Sequence, residues 1–408
     1  MMNRPLDPGA LLQGSAVQAL SREFYKLWGA DPHAKRNPCP QPVSLERKHL
    51  QLLKQDNYVV ADKSDGTRYT LFLTRVMGRQ FSVLIDRKMD AHQIPVAASR
   101  RVFEGSVFDG ELVWAYLGSN PVPSQLFLIF DVIAYRGSNA IRNESLHKRL
   151  QTIRAVFDLD GRSVTSPEDA ATLAREGKIV CGGNAHGLSF RPKGCFPVSQ
   201  LDTLLRQIPA LPYATDGLMF TPVQAPVQTG TSETTFKLKN IHTIDLEVKE
   251  RSFLVGLGGA PETAVQRVPL SSLGLPLVID EGFWQAFARQ HQSMKNESDA
   301  ATSIVECIVE LSTKEDVVLK LHKIRTDKTH PNTVRTILAT LTNLKENIQI
   351  SELRQVLQIA SLPGSAHSFQ ENHHGDTPKP VCADASSHGG AILATLTVGD
   401  LIDSQTPW

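Results

Sequence analysis

Six short segments of the chain carry residues suited to moving a phosphate-linked group. The first is Lys63-Ser64-Asp65-Gly66-Thr67-Arg68, directly after the apolar run 58–61. A lysine at a strand end, followed by a turn glycine, presents its amine at a cleft edge. The missing Cβ of Gly66 would let a phosphate come close to the backbone. A lysine amine is protonated at neutral pH and is then a poor nucleophile; neighbouring cations and desolvation release its lone pair. A nucleophilic Lys63 therefore demands further positive charge, and Arg68 supplies a first share of it. Taken alone, the hexapeptide also fits a surface hairpin with a solvated lysine.

The second segment, Phe108-Asp109-Gly110-Glu111-Leu112, sets a carboxylate inside an apolar strand, which is costly without a partner. Glu111 suits a ribose hydroxyl or a cation. Phe130-Asp131 closes the apolar run Leu126 to Phe130, where an aromatic ring can stack on a base. In Thr215-Asp216-Gly217-Leu218-Met219-Phe220, the acidic residue at a strand start can hold a divalent metal beside a triphosphate. In Phe236-Lys237-Leu238-Lys239, strand alternation sends both lysines to one face. The two like charges repel unless an anion lies between them, and they are the cation pair that Lys63 requires. The last segment, Arg325-Thr326-Asp327-Lys328-Thr329-His330-Pro331-Asn332, offers Arg325 and Lys328 to β- and γ-phosphates. Each segment has an ordinary reading too: an edge glutamate in water, a core phenylalanine, a turn Asp-Gly, a solvated strand face, a charged loop.

The elements that must position these residues are legible from periodicity. Residues 1–45 read as a helix and a loop. Asn57 to Lys63 is a short strand, and Tyr69 to Arg75 with Phe81 to Arg87 form a hairpin around Met77-Gly78-Arg79. Phe108 to Tyr116 and Leu126 to Tyr135 are strands. Leu146, Leu150, Ile153 and Phe157 repeat at helical spacing. Ser166-Pro167-Glu168-Asp169 opens a helix that Gly177 stops, and Ser199-Gln200-Leu201-Asp202 opens another in the same way. Strands follow at 217–222 and 234–239. Beyond Asp245 come Leu246 to Val255, a turn at Gly256–Gly259, a helix over 281–291 and strands at 303–311 and 316–324, a pattern that suits a small barrel. Amphipathic helices then follow from Val334 and over 352–361.

Composition narrows the class. The 408 residues carry a net charge of +1, so no global basic field marks a bulk nucleic-acid packager, and contact with RNA must be local. No apolar run approaches the roughly 18 residues of a membrane span. Cys39, Cys181, Cys195, Cys307 and Cys382 form no CxxC pair and read as reduced thiols; Cys181, His186 and Cys195 miss zinc spacings. No GxxxxGK[ST] phosphate loop occurs.

Taken in order, the six segments resemble the six collinear motifs of the covalent nucleotidyltransferase superfamily of polynucleotide ligases and GTP:RNA guanylyltransferases. Arg325-x-Asp327-Lys328-x-x-Pro331-Asn332, Phe236-Lys237-Leu238-Lys239 before His242-Thr243-Ile244-Asp245, and Val83-Leu84-Ile85-Asp86-Arg87 are similar to the capping form. One departure is a shorter loop between Lys239 and Asp245. The resemblance implies an α+β fold: an antiparallel-sheet nucleotidyltransferase domain over 1–245 and an OB-fold β-barrel domain over 246–332. C-terminal helices over 333–362 would pack back on the core, before a disordered tail at 363–408. It implies that Lys63 bonds to GMP; that Arg68, Arg87 and Glu111 hold the ribose; that Phe130 stacks on guanine; and that Lys193 reads guanine O6. Asp216 would stand near Mg²⁺ or Mn²⁺, and Lys237 and Lys239 at the α-phosphate. Arg325, Asp327 and Lys328 would come down with the barrel to orient the leaving pyrophosphate. The implied partners are GTP, 5′-diphosphate RNA, a triphosphatase and a cap methyltransferase as separate proteins, and the RNA polymerase II tail, all in the nucleus and without a membrane. An ATP-dependent RNA or DNA ligase and a non-catalytic RNA-binding relative are the alternatives.

Overall fold

The computed structural model describes residues 6–34, 37–55, 57–118, 122–182, 187–257, 266–293, 303–314, 316–325 and 328–359. The expected tail at 363–408, Asp327, His186 and Cys382 lie outside them. Among the described residues the chain divides into two units, one of residues up to 43 with those of 57–236, the other of 44–55 with those of 237–359.

The N-terminal stretch contributes β1 (Ala10–Leu11), α1 (Ser15–Trp28), β2 (Gln41–Ser44) and α2 (Leu50–Gln55). Then come β3 (Tyr58–Ser64), β4 (Thr67–Val76), β5 (Arg79–Ile85), β6 (Ala91–Gln93), β7 (Val96–Ala97), β8 (Ser106–Ala115) and β9 (Ser124–Ala134). The rest of the first unit is α3 (Leu146–Phe157), α4 (Pro167–Arg175), β10 (Val180–Cys181), β11 (Leu188–Pro192), β12 (Phe196–Pro197), α5 (Leu201–Gln207), β13 (Thr215–Pro222) and β14 (Thr231–Lys239), the last of which crosses the division after Phe236. Among the described residues the strands form a sheet of order β1-β6-β5-β4-β8-β9-β11, a second of order β12-β3-β13-β14-β2, and the pair β10-β7.

The central strands are apolar on consecutive residues because both faces of their sheet are covered. Leu71 and Leu73 join a core with Leu150, Ile153 and Phe157 of α3. Phe72, between them, joins another with Phe24 and Trp28 of α1. The β4–β5 hairpin turns where expected: Val76 pairs with Arg79, and Met77 and Gly78 carry φ of 51° and 75°, the two-residue turn that matches strand twist. At α4 the Ser166 hydroxyl accepts from the Asp169 N–H at 3.1 Å, and the Asp169 carboxylate accepts from the Ser166 N–H at 3.0 Å. Helix α5 departs from expectation, since a 3₁₀ turn at Val198–Gln200 leads into it and no side chain caps it.

The second unit holds β15 (Thr243–Lys249), β16 (Ser252–Gly256), β17 (Arg267–Pro269), β18 (Leu277–Ile279), α6 (Phe283–Ser293), β19 (Ser303–Leu311), β20 (Val317–Ile324), α7 (Val334–Glu346) and α8 (Ile350–Val356). Among the described residues its sheet has the order β17-β16-β15-β19-β20-β18. Leu246, Val255, Val305 and Leu319 pack there with Phe283 of α6 and Ile337 of α7. The stretch Leu246 to Val255, read above without a break, is a hairpin. It reverses at Glu250 and Arg251, whose φ values are 49° and 63°. Neither is a glycine or an asparagine, so the usual signal of that turn is missing. Segment 44–55 belongs with the C-terminal helices: Asn343 Nδ2 donates to the Leu45 carbonyl at 3.1 Å, and Arg47 Nε donates to Glu352 at 2.8 Å. The class is α+β, antiparallel-rich in the first unit and OB-like in the second. Among the described residues no helix is long and apolar enough to cross a membrane.

Candidate active site

Lys63 stands near the end of β3, opposite Gly217 of β13, and the register slips between Thr215 and Gly217. Asp216 is the extra residue of that bulge, and bulges re-aim side chains. The Asp216 carboxylate accepts from Lys63 Nζ through both oxygens, at 2.7 and 2.9 Å. The two side chains keep 20% and 23% exposure, so the amine is paired yet reachable. Glu111 on β8 is the next carboxylate. Burial pushes it above its ordinary value, and the positive charges of Lys63, Lys193 and Arg68 pull it back.

Arg68 lies opposite Glu111 in the β4–β8 register, and two residues on Thr70 lies opposite Asp109. The Arg68 guanidinium forks onto Asp109, with Nε to Oδ1 at 3.0 Å and NH2 to Oδ2, while NH1 donates to the Pro40 carbonyl at 2.6 Å. It lies over the Phe130 ring at 5.6 Å. Burial opposes the Arg68 charge, but Asp109 outweighs it and holds the guanidinium above its usual value. Asp109 is the residue that sequence reasoning passed over. Its signal was available, because a second carboxylate in the same apolar strand needs its own cation. Arg87 is exposed just beyond β5, and its charge reaches buried Cys39. Burial, then Asp109, push that thiol up to about 12, so Cys39 stays protonated and is no rival nucleophile.

Lys193 is buried. Its Nζ donates to Asp62 Oδ2 at 2.8 Å and Ser64 Oγ at 2.9 Å, and lies over the Tyr213 ring. Asp62 and Ser64 flank Lys63 and alternate to the other face of β3, so Lys193 braces the nucleophile's strand from behind. Gly66 needs a correction. An added Cβ would fall 2.3 Å from the Leu112 carbonyl oxygen and 2.6 Å from Val113 Cγ1. The space it leaves is filled by β8 and not kept for a phosphate. Gly66→Ala is expected to cost about 1–3 kcal/mol by overpacking, seen as a lowered thermal midpoint. An unchanged midpoint would show that β8 yields.

In the second unit Asp245 gathers the last segment's side chains. Arg325 NH1 lies 3.1 Å from Asp245 and 3.2 Å from Glu306, Lys328 Nζ pairs with Asp245, and Asn332 Nδ2 donates to it at 3.2 Å. The backbone N–H of Asp245 donates to Asn332 Oδ1 at 2.9 Å. Arg325 and Lys328 are thus brought together, on a carboxylate that the sequence placed 80 or more positions away. Lys237 and Lys239 share a face of β14 by alternation.

The family model for the mRNA capping enzyme catalytic domain matches residues 8–241, more than half of the chain. The chain belongs to the mRNA capping enzyme family. The model for the C-terminal domain of the same enzymes matches residues 228–354. The mRNA-capping enzyme subunit alpha of Neurospora crassa is 27% identical over 356 residues, covering 78% of this chain and 83% of that protein. The Schizosaccharomyces pombe mRNA-capping enzyme subunit alpha is 27% identical over 375 residues, covering 86% of this chain and 87% of that one. Among solved structures, mycobacterial DNA ligase D complexed with ATP and MES overlaps 72% of this chain and 96% of its own, at 15% identity and a TM-score of 0.34, too slight a likeness to carry an argument. As a member of the capping enzyme family the chain is a nucleotidyltransferase that acts in mRNA capping.

Proposed function

We propose that the chain moves GMP from GTP to the 5′-diphosphate end of RNA through a covalent intermediate on Lys63. The observation that carries this reading is the partly exposed Lys63 side chain with its amine held on Asp216, and with Glu111 in electrostatic reach of both Lys63 and Arg68. On leaving Asp216 the Lys63 ammonium first gives up one proton, and the amine so formed attacks the α-phosphorus. The N–P bond forms, the bond from the α-phosphorus to its bridging oxygen breaks, pyrophosphate leaves with the electron pair, and the nitrogen sheds a proton. The terminal oxygen of the RNA diphosphate then attacks the same phosphorus; the N–P bond breaks and the lysine regains its proton.

In this reading Arg68, Arg87 and Glu111 hold the ribose and Phe130 stacks on guanine, while Lys193, engaged with Asp62 and Ser64, would have to leave them to read the guanine O6. Lys237 and Lys239 neutralise the α-phosphate, and Arg325, Asp327 and Lys328 orient the leaving pyrophosphate. Among the described residues no cluster of three His, Cys, Asp or Glu side chains is placed to hold a metal ion. A Mg²⁺ or Mn²⁺ ion would then take most of its ligands from phosphate and water, with Asp216 as the protein's carboxylate, a sparse set that suits Mg²⁺. Such an ion supplies charge against the phosphates. The reading brings with it a nuclear location, a separate triphosphatase and methyltransferase, and the RNA polymerase II tail.

The test is incubation with α-labelled GTP or ATP and a divalent ion. An acid-sensitive labelled band is expected with GTP alone; labelling by ATP alone would favour a ligase and sink the proposal.

A further inference from the structure

We infer that the Asp131–Arg149 pair is a positioning device for the nucleobase platform, anchoring the β9 bulge that sets Phe130 against Arg68. The inference rests on the reading of Phe130 as the residue that stacks on the base.

Across β8 and β9, Asp109 pairs with Asp131 and Gly110 with Ile129. Phe130 is the residue left over, outside the regular ladder. A bulged residue is aimed by whatever holds its neighbours. The neighbour here is Asp131. Its Oδ1 accepts from Arg149 Nε at 2.7 Å and from the Val132 N–H at 2.8 Å, and its Oδ2 accepts from Arg149 NH2 at 3.2 Å. Arg149 on α3 is itself pinned, with only 2% of its side chain exposed. Its NH1 donates to the Glu144 carbonyl at 2.6 Å and the Ala225 carbonyl at 3.1 Å. One guanidinium thus ties the bulge to the start of α3 and to the segment after β13.

Electrostatics extend the link. Asp109 and Asp131 face each other across the two strands, and each has its own arginine, Arg68 for the first and Arg149 for the second. Burial raises the Asp131 carboxyl and Arg149 works against that rise. Removing Arg149's grip leaves one carboxylate buried beside another, and the second of these aims Arg68 at the Phe130 ring. A buried ion pair adds little stability over well-packed apolar side chains, so its value here lies in where it puts Phe130.

The test is a double-mutant cycle on formation of the lysyl–GMP adduct, with KM for GTP, kcat and thermal midpoint measured for Phe130→Ala, Asp131→Asn and the double variant. KM is expected to rise about tenfold in Phe130→Ala, the size of one base–aromatic stack, and several-fold in Asp131→Asn with kcat nearly kept. In the double variant Asp131→Asn should add nothing further to KM. Independent, additive losses, or an unchanged KM in Asp131→Asn, would overturn the inference while leaving the functional reading intact. Absence of any GTP adduct in the unaltered chain would bring down the functional reading and this inference with it, while a harmless Phe130→Ala would overturn this inference alone. If Asp131→Asn does not fold, Arg149→Lys runs the same cycle, because it keeps the charge and loses the fork.

Discussion

Replacing Lys63 by alanine is expected to abolish the labelled GMP adduct and to leave the fold standing. The chemistry needs a nitrogen lone pair at that position, and alanine has none to give, so the loss should be complete and not graded. Stability should hardly change. The Lys63–Asp216 pair is a fifth exposed on each side, so the Asp216 carboxylate left behind can be hydrated and escapes the full cost of a buried, unpaired charge. Lys63→Arg sharpens the test. It keeps a cation beside Asp216, but a guanidinium does not deprotonate near neutral pH, so it too should give no adduct. The measurements are labelling with α-labelled GTP and a thermal melt of each variant. An adduct in either variant would move the nucleophile to another residue.

The second large effect is expected at Asp109. Its side chain is 1% exposed and that of Arg68 13%, so Asp109→Ala strands a buried guanidinium. Breaking a buried pair from one side costs about 3–5 kcal/mol. The adduct should vanish as well, since Arg68 loses the fork that aims it at the Phe130 ring. Removing both partners separates the two consequences. In the double variant Asp109→Leu with Arg68→Met no charge is left buried, and most of the lost stability should return, while adduct formation should not. Denaturant unfolding with GTP labelling checks this. A double variant as unstable as Asp109→Ala would show that the pair acts by packing and not by charge. Recovered labelling in it would remove Arg68 from the nucleotide site.

Such pairings show where local sequence stops being informative. Lys63 and Asp216 are separated by 153 positions, Arg68 and Asp109 by 41, and Lys328 and Asp245 by 83. Lys63, Asp216, Arg68 and Lys328 were each suspect from their chemistry, whereas Asp109 and Asp245 were not, and who faces whom depends on strand register and bulges. Asp109, Asp131 and Asp245 were each visible in a chemically suggestive segment without a partner. Their partners emerged only where β8 met β4, where β9 met α3, and where the Thr243–Lys249 strand met the end of β20. Gly66 misled for a related reason: the same absent Cβ serves an approaching phosphate or an approaching strand, and only the neighbour distinguishes them.

What the sequence determined by itself is what short-range physics controls. The hairpin at Met77 and Gly78, the box that caps α4, and the alternation that puts Lys237 and Lys239 on one face all depend on residues a few positions apart, whose backbone preferences act before any tertiary contact forms. The tertiary structure alone decided which charges neutralise one another, that Glu250 and Arg251 turn the chain without a glycine, and that Lys193 braces β3 through Asp62 and Ser64. Those outcomes are settled by the cost of burying a charge unpaired, a cost that exists only once distant strands have excluded water from around it.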